Sequence, residues 1–248
     1  MTHETISLRT PDGVCPTHVF EPSDDGRWPG VLLFMDGVGI RPALFEIAER
    51  LAAGGYYVMM PDLYYRSGFT AREGSKLFSD AAVLADWRAR VLPTVTTAKI
   101  MSDMPALLSH LDATTSVRRG KIGVTGYCLG GRLSLASAGH FPERVAAAAS
   151  YHGGHLATDA PDSPHHLASA MKARVYVGGA IEDPSFDDAQ KQRLENALTL
   201  ANVDHVVETY DARHGWVPSD TPVHDAAATE RHWRTLFALL KNTPDLAN

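Results

Sequence analysis

Short apolar runs that recur between helical stretches constrain this chain more than any other feature. GVLLFMD (Gly30 to Asp36), YYVMMPD (Tyr56 to Asp62), KIGVTGY (Lys121 to Tyr127), VAAAASYHG (Val145 to Gly153), ARVYVGGAIED (Ala173 to Asp183) and HVVETYD (His205 to Asp211) are predicted strands. Most are continuously apolar rather than alternating, which suits strands covered on both faces, as in a parallel sheet. Between them the spacing becomes helical. Leu44, Ile47, Ala48 and Leu51 predict a helix over 42–53, and helices are also expected over 98–111, 186–201 and 226–240, with a helix-like run after Tyr127. Ahead of these, TISLRT and CPTHVFEP alternate around Pro11, Asp12 and Gly13, which predicts an antiparallel hairpin. The expected fold class is therefore α/β: a doubly wound, mostly parallel sheet with an antiparallel N-terminal hairpin and helices on both faces. The 248 residues suit one large core and show no repeat, so a single domain over 1–248 is expected.

Charge narrows the partners. The formal net charge is -6, and the 23 Lys and Arg residues form no cluster, which argues against nucleic-acid and anionic-membrane binding and for a small-molecule partner. MTHETISLRT has no basic segment followed by an apolar one, and no apolar run approaches the roughly 20 residues that cross a bilayer, so a cytoplasmic location is expected. A monomer and a small homo-oligomer both remain open. The two cysteines, Cys15 and Cys128, are too few for a disulfide framework and would persist as thiols in a reducing compartment.

One of those thiols stands where chemistry is expected. In GYCLGG (Gly126 to Gly131), Cys128 lies between a strand and a helix with glycines two residues away on each side, the pattern of a nucleophile elbow. The glycines make room for a sharp turn around an exposed side chain, and the start of a helix favours a nucleophilic thiolate. A nucleophile needs a base, and the base an orienting partner. Asp183 closes the predicted strand ARVYVGGAIED, and His214 follows the next one in YDARHGW. The order nucleophile, acid, histidine is that of α/β hydrolases. Glu182, Asp187 and Asp188 are rival acids, the last two expected to lie inside the next helix.

Together GYCLGG, PDLYYR (Pro61 to Arg66), VGGAIED and HGW resemble the dienelactone hydrolase family, a branch of the α/β hydrolases with a Cys-His-Asp triad. The resemblance covers nearly the whole chain. It implies an α/β-hydrolase fold, Cys128 as nucleophile, His214 as general base and Asp183 as its orienting partner. It also implies an oxyanion hole from the backbone N–H groups of Leu129 and Gly37, with no cofactor and no metal. Two departures bear on substrate. The family's namesakes carry a glutamate, thought to interact with the resting thiol, where this chain has Asp36; an Asx-type turn ahead of Gly37 is the other reading of Asp36. The namesakes also hold a substrate carboxylate with two arginines, one of them four residues after the histidine, where this chain has Pro218. Arg72, Arg88 and Arg90 compete for the position of the other.

The remaining features are less specific. SYHGGHLATDAPDSPHH carries His152, His155, His165 and His166, but without a glutamate or cysteine at a recognised metal spacing it reads as a loop over the crevice, with His152 nearest the site. Trp216 is expected as a pocket wall, whereas Tyr64 is favoured neither as wall nor as packing. Arg132, one helical turn after Cys128, would either support the site or pair with a nearby acid. Cys15 is expected to have no role. The function expected is hydrolysis of a small ester or lactone through a thioester. The alternatives are a thioesterase or carboxylesterase of other specificity and a non-hydrolytic thiol protein serving redox or ligand binding.

Overall fold

The computed structural model describes residues 1–70, 72, 75–77 and 79–247. Eight strands form one sheet: β1 (Thr2–Thr10), β2 (Gly13–Glu21), β3 (Gly30–Phe34), β4 (Tyr57–Pro61), β5 (Ile122–Tyr127), β6 (Val145–Tyr151), β7 (Arg174–Ala180) and β8 (His205–Tyr210). Their spatial order is β1-β2-β4-β3-β5-β6-β7-β8. β1 and β2 pair antiparallel around the predicted turn, with Thr10 opposite Gly13, and β2 pairs antiparallel with β4. The other pairings are parallel. Every residue of β3, β4, β5 and β6 is buried, so both sheet faces are covered, as their continuous apolar runs require.

The helices are α1 (Pro42–Ala53), α2 (Ala81–Asp86), α3 (Thr97–Ala113), α4 (Leu129–His140), α5 (Asp188–Leu200) and α6 (Ala226–Lys241). In α1 the predicted stripe Leu44, Ile47, Ala48 and Leu51 is the buried one. Helix α2 was not predicted. None of its residues is buried, so it has no apolar stripe to read; its signal is the Asp80 cap, whose carboxylate accepts from the N–H groups of Ala82 and Val83. It runs on through a π turn (Trp87–Val91) and a 3-10 turn (Leu92–Thr94).

The chain passes from β3 to β4 on one side and crosses to β5 on the other. That reversal opens a crevice beyond the carboxyl ends of β3 and β5, where α/β sheets bind ligands. Three strands end two or three residues earlier than predicted, at Phe34, Tyr151 and Ala180. Residues predicted to end these strands, Asp36, His152 and Asp183 among them, leave the ladder to form loops at this crevice. Among the described residues no helix is long and apolar enough to cross a membrane.

Candidate active site

Cys128 is the single residue between β5 and α4, with φ 54 and ψ -114. That left-handed backbone is costly for a residue with a side chain, so its surroundings must impose it. The Cys128 N–H donates to Tyr151 O at 3.1 Å, and Cys128 O accepts from Gly131 N at 3.1 Å. The two flanking glycines are a steric necessity. A Cβ on Gly126 would lie 2.3 Å from Gly130 O, and one on Gly130 would lie 2.2 Å from Phe34 O, so no larger residue fits while helix and strand stay this close.

His214, after β8, donates from Nδ1 to Asp183 Oδ2 at 2.7 Å. The other Asp183 oxygen accepts from Ser185 N at 2.9 Å and Ser185 Oγ at 2.6 Å, which fixes the carboxylate. Burial raises the Asp183 pKa, but the bond and charge of His214 and the two Ser185 bonds outweigh it and hold the group at about 2. Burial likewise lowers the His214 pKa. The charge of Cys128, the hydrogen bond to Asp183 and the Asp183 charge overcome this and lift it to about 10. His214 therefore stands between Cys128, whose charge acts on it, and Asp183, to which it is hydrogen-bonded.

The rival acids face away. Glu182 has φ 49 and turns outward to pair with Arg213 at 3.1 Å. Asp187 is not inside the helix as predicted but caps it, accepting from Gln190 N at 2.8 Å, and Asp188 pairs with Lys191 on the exposed side of α5.

At the end of β3, Asp36 takes the Asx geometry, with Oδ1 accepting from Val38 N at 2.9 Å. Both its oxygens also receive Arg41, at 2.8 and 2.9 Å, within a buried ion pair. The carboxylate is thus committed to Arg41 rather than aimed at the thiol. Arg41 turns its remaining side to Asp220, with contacts of 2.7 and 3.0 Å, and so ties the β3 loop to the loop after His214. Tyr64, which the sequence left without a role, is buried and donates its hydroxyl to Gly37 O at 2.6 Å; Trp87 Nε1 donates to that hydroxyl at 3.0 Å.

Trp216 corrects an expectation: it is fully buried, stacked on Tyr210 with 4.8 Å between ring centroids, and offers no surface to a pocket. An indole satisfies a pocket wall and a packed interior equally, and here the aromatic layer under the sheet end takes it. His152 is also fully buried, 4.9 Å from the Trp216 ring and 5.2 Å from the His214 ring. Burial, with the His214 charge, holds it well below the usual histidine range and hence neutral. Arg132 pairs with Asp162 at 2.7 Å. Pro218 is buried, Arg72 and Arg88 are exposed, and Arg90 pairs with Asp86 on its own turn. His155 and His166 are exposed, and His165 contacts Ser163 Oγ. Among the described residues no three His, Cys, Asp or Glu side chains converge as metal ligands.

Arg41, Asp220, Ser185 and Trp87 are site residues that sequence reasoning missed. Arg41 carries no sequence signal beyond preceding Pro42 at a helix start. Trp87 is the one Phe, Trp or Tyr between Phe78 and Tyr127, which could have marked it.

The dienelactone hydrolase family model matches residues 15–243. Carboxymethylenebutenolidase of Rhodococcus opacus is 26% identical over 239 residues, covering 90% of this chain and 88% of its own. A Methylorubrum extorquens protein assigned that same activity is 28% identical, covering 93% of this chain and 78% of its own. Among solved structures, dienelactone hydrolase from Anabaena variabilis superposes with a TM-score of 0.70 at 18% identity, covering 98% of each chain. A dienelactone hydrolase-like promiscuous phosphotriesterase from metagenomic libraries gives 0.78 at 22% identity, also covering 98% of each. These neighbours share the α/β-hydrolase fold described above. Matched from its second strand to the end of its last helix, the chain belongs to the dienelactone hydrolase family and is a hydrolase of a lactone or ester.

Proposed function

We propose that this hydrolase works through a thioester formed on Cys128. The observation that carries the reading is His214, near enough to Cys128 to feel its charge and bonded through Nδ1 at 2.7 Å to Asp183. In the cycle, His214 holds the proton of the thiol and Cys128 Sγ attacks the carbonyl carbon. The oxyanion faces the N–H groups of Leu129 and Gly37; Leu129 opens α4, where helix geometry leaves first-turn donors unpaired. Collapse breaks the C–O bond, and the leaving oxygen takes the His214 proton. A water then gives a proton to His214 and its oxygen attacks the thioester, releasing the acid and restoring the pair. The cycle needs no cofactor. Acid-quenched mass spectrometry after mixing with p-nitrophenyl acetate tests it: an acetyl group on the Cys128 peptide is expected, and a stable acyl group on another side chain would overturn the assignment.

The His214 proton sets an expected pH limit. Its folded pKa, about 10, lies above the ordinary 6.5, so the imidazolium is present through neutral pH and is lost as pH rises through about 10. The same shift contributes stability that is complete below the unfolded pKa and disappears over that rise. In the reaction, losing the proton removes the acid that the leaving group needs, so kcat/KM should fall on the alkaline side near that value. Asp183→Asn removes part of what lifts the pKa and should move the falling limb downward. An alkaline limb that does not move in a kcat/KM profile of that variant would contradict the assignment.

Charge around the site favours a neutral substrate. The buried Arg41 is already matched by Asp36 and Asp220, and Pro218 supplies no cation. A guanidinium bonded to a substrate carboxylate is worth about 1.5–3 kcal/mol, on the order of 10- to 100-fold in selectivity. Without one, kcat/KM for an anionic lactone should not exceed that for a neutral lactone of matched size. A preference for the anion of tenfold or more, on the same scale, would show that another cation holds the carboxylate.

A further inference from the structure

We propose that Tyr64 is a positioning residue that sets the Gly37 oxyanion-hole donor, with Trp87 as its support. The inference rests on the thioester reading above and adds how that hole is held.

Gly37 follows the strand end and has no Cβ, so its own side chain restricts neither φ nor ψ. Instead the peptide joining Gly37 to Val38 is gripped on both sides. Its carbonyl accepts from the Tyr64 hydroxyl at 2.6 Å, and its N–H donates to Asp36 Oδ1 at 2.9 Å. Asp36 is immobilised by the paired bonds from Arg41, which also donates to Gly39 O at 3.0 Å. Trp87 fixes Tyr64 through the 3.0 Å bond from its indole, and its ring lies 3.9 Å from where a Gly37 Cβ would stand. The Gly37 N–H itself lies in the preceding peptide, whose carbonyl, Asp36 O, accepts from Gly39 N at 3.2 Å; with the peptides on both sides of the Gly37 Cα held, that N–H keeps one direction while charge develops on the substrate oxygen. A preorganised donor of this kind stabilises the transition state without reorganising. Tyr64 suits the task chemically. Burial, only partly offset by the Trp87 bond, holds its phenol far above the ordinary tyrosine range, so its O–H remains a donor.

Tyr64 touches no reacting atom in this arrangement, so its removal should affect the oxyanion and spare the thiol. Tyr64→Phe is expected to lower kcat for an activated ester by about 10- to 100-fold with little change in KM, given that a lost donor costs about 100- to 1,000-fold and a misplaced one less. Affinity for a trifluoromethyl ketone, whose thiol adduct carries an oxyanion, should fall by the same factor. Methyl methanethiosulfonate gives the control. It transfers CH3S to the Cys128 thiolate with loss of methanesulfinate and forms no oxyanion on carbon, so its rate should be unchanged. Trp87→Phe should lose less than Tyr64→Phe, and the double variant should be no worse than Tyr64→Phe alone, because the two act in series. Full activity in Tyr64→Phe, additive losses, or a methylthiolation rate that falls along with kcat would each overturn the inference. Failure of methyl methanethiosulfonate to inactivate the wild type would instead overturn the thioester reading itself.

Discussion

Cys128→Ala is expected to lower ester turnover by at least about 10,000-fold, the scale on which loss of a nucleophile acts when the remaining site keeps only binding and its oxyanion donors. Cys15→Ala should leave turnover within about twofold, since it lies outside that site. The contrast follows from where the two thiols sit. Cys15 is buried in β2, its sulfur facing the carbonyls of Pro16 and Asp62, and burial pushes its pKa to about 12, so it remains a protonated thiol. Cys128 is partly exposed at a strained turn, within electrostatic reach of the His214 imidazole and at the start of α4. Initial rates on p-nitrophenyl acetate with the two variants, and a thiol titration showing one fast group in the wild type, check this. Wild-type turnover in Cys128→Ala would remove the mechanism.

Loss of His214 should be nearly as severe, and it should mask Asp183. His214→Ala is expected to lose at least about 1,000-fold in kcat/KM, and the double variant His214→Ala/Asp183→Ala only a few-fold more, because residues acting as one unit give non-additive losses. Asp183→Asn alone should cost about 100- to 10,000-fold, by releasing the ring orientation and the proton that the 2.7 Å bond holds. Glu182→Gln should be nearly silent, since that side chain is 70% exposed and its partner is the equally exposed Arg213. The four variants assayed on one ester decide the matter. Wild-type rates in Asp183→Asn together with a large loss in Glu182→Gln would mean that the neighbouring acid does the work.

The identity of the acid shows how far residue order reaches. Order placed an acid between Cys128 and His214, and four carboxylates at the end of one strand met that condition. Only the backbone separated them, with Glu182 turned outward at φ 49 and Asp183 held inward by Ser185. Trp216 marks the opposite limit, because an indole two residues from His214 fits a pocket wall or a buried layer by composition alone.

The sequence by itself determined the succession of strands and helices, the hairpin at the start and the elbow at Cys128. These depend on near neighbours along the chain: apolar period, turn chemistry, and the need for Gly126 and Gly130 where helix and strand backbones nearly touch. Only the tertiary structure decided that Arg41 pairs with both Asp36 and Asp220, that Tyr64 and Trp87 hold the Gly37 peptide, and that Trp216 is interior. Arg41 and Asp220 are 179 residues apart, and Tyr64 lies 27 from Gly37. The physical reason is strand order. Placing β3 between β4 and β5 gathers into one crevice the loops that follow β3, β4, β5, β7 and β8, and no local pattern records which of their side chains then meet.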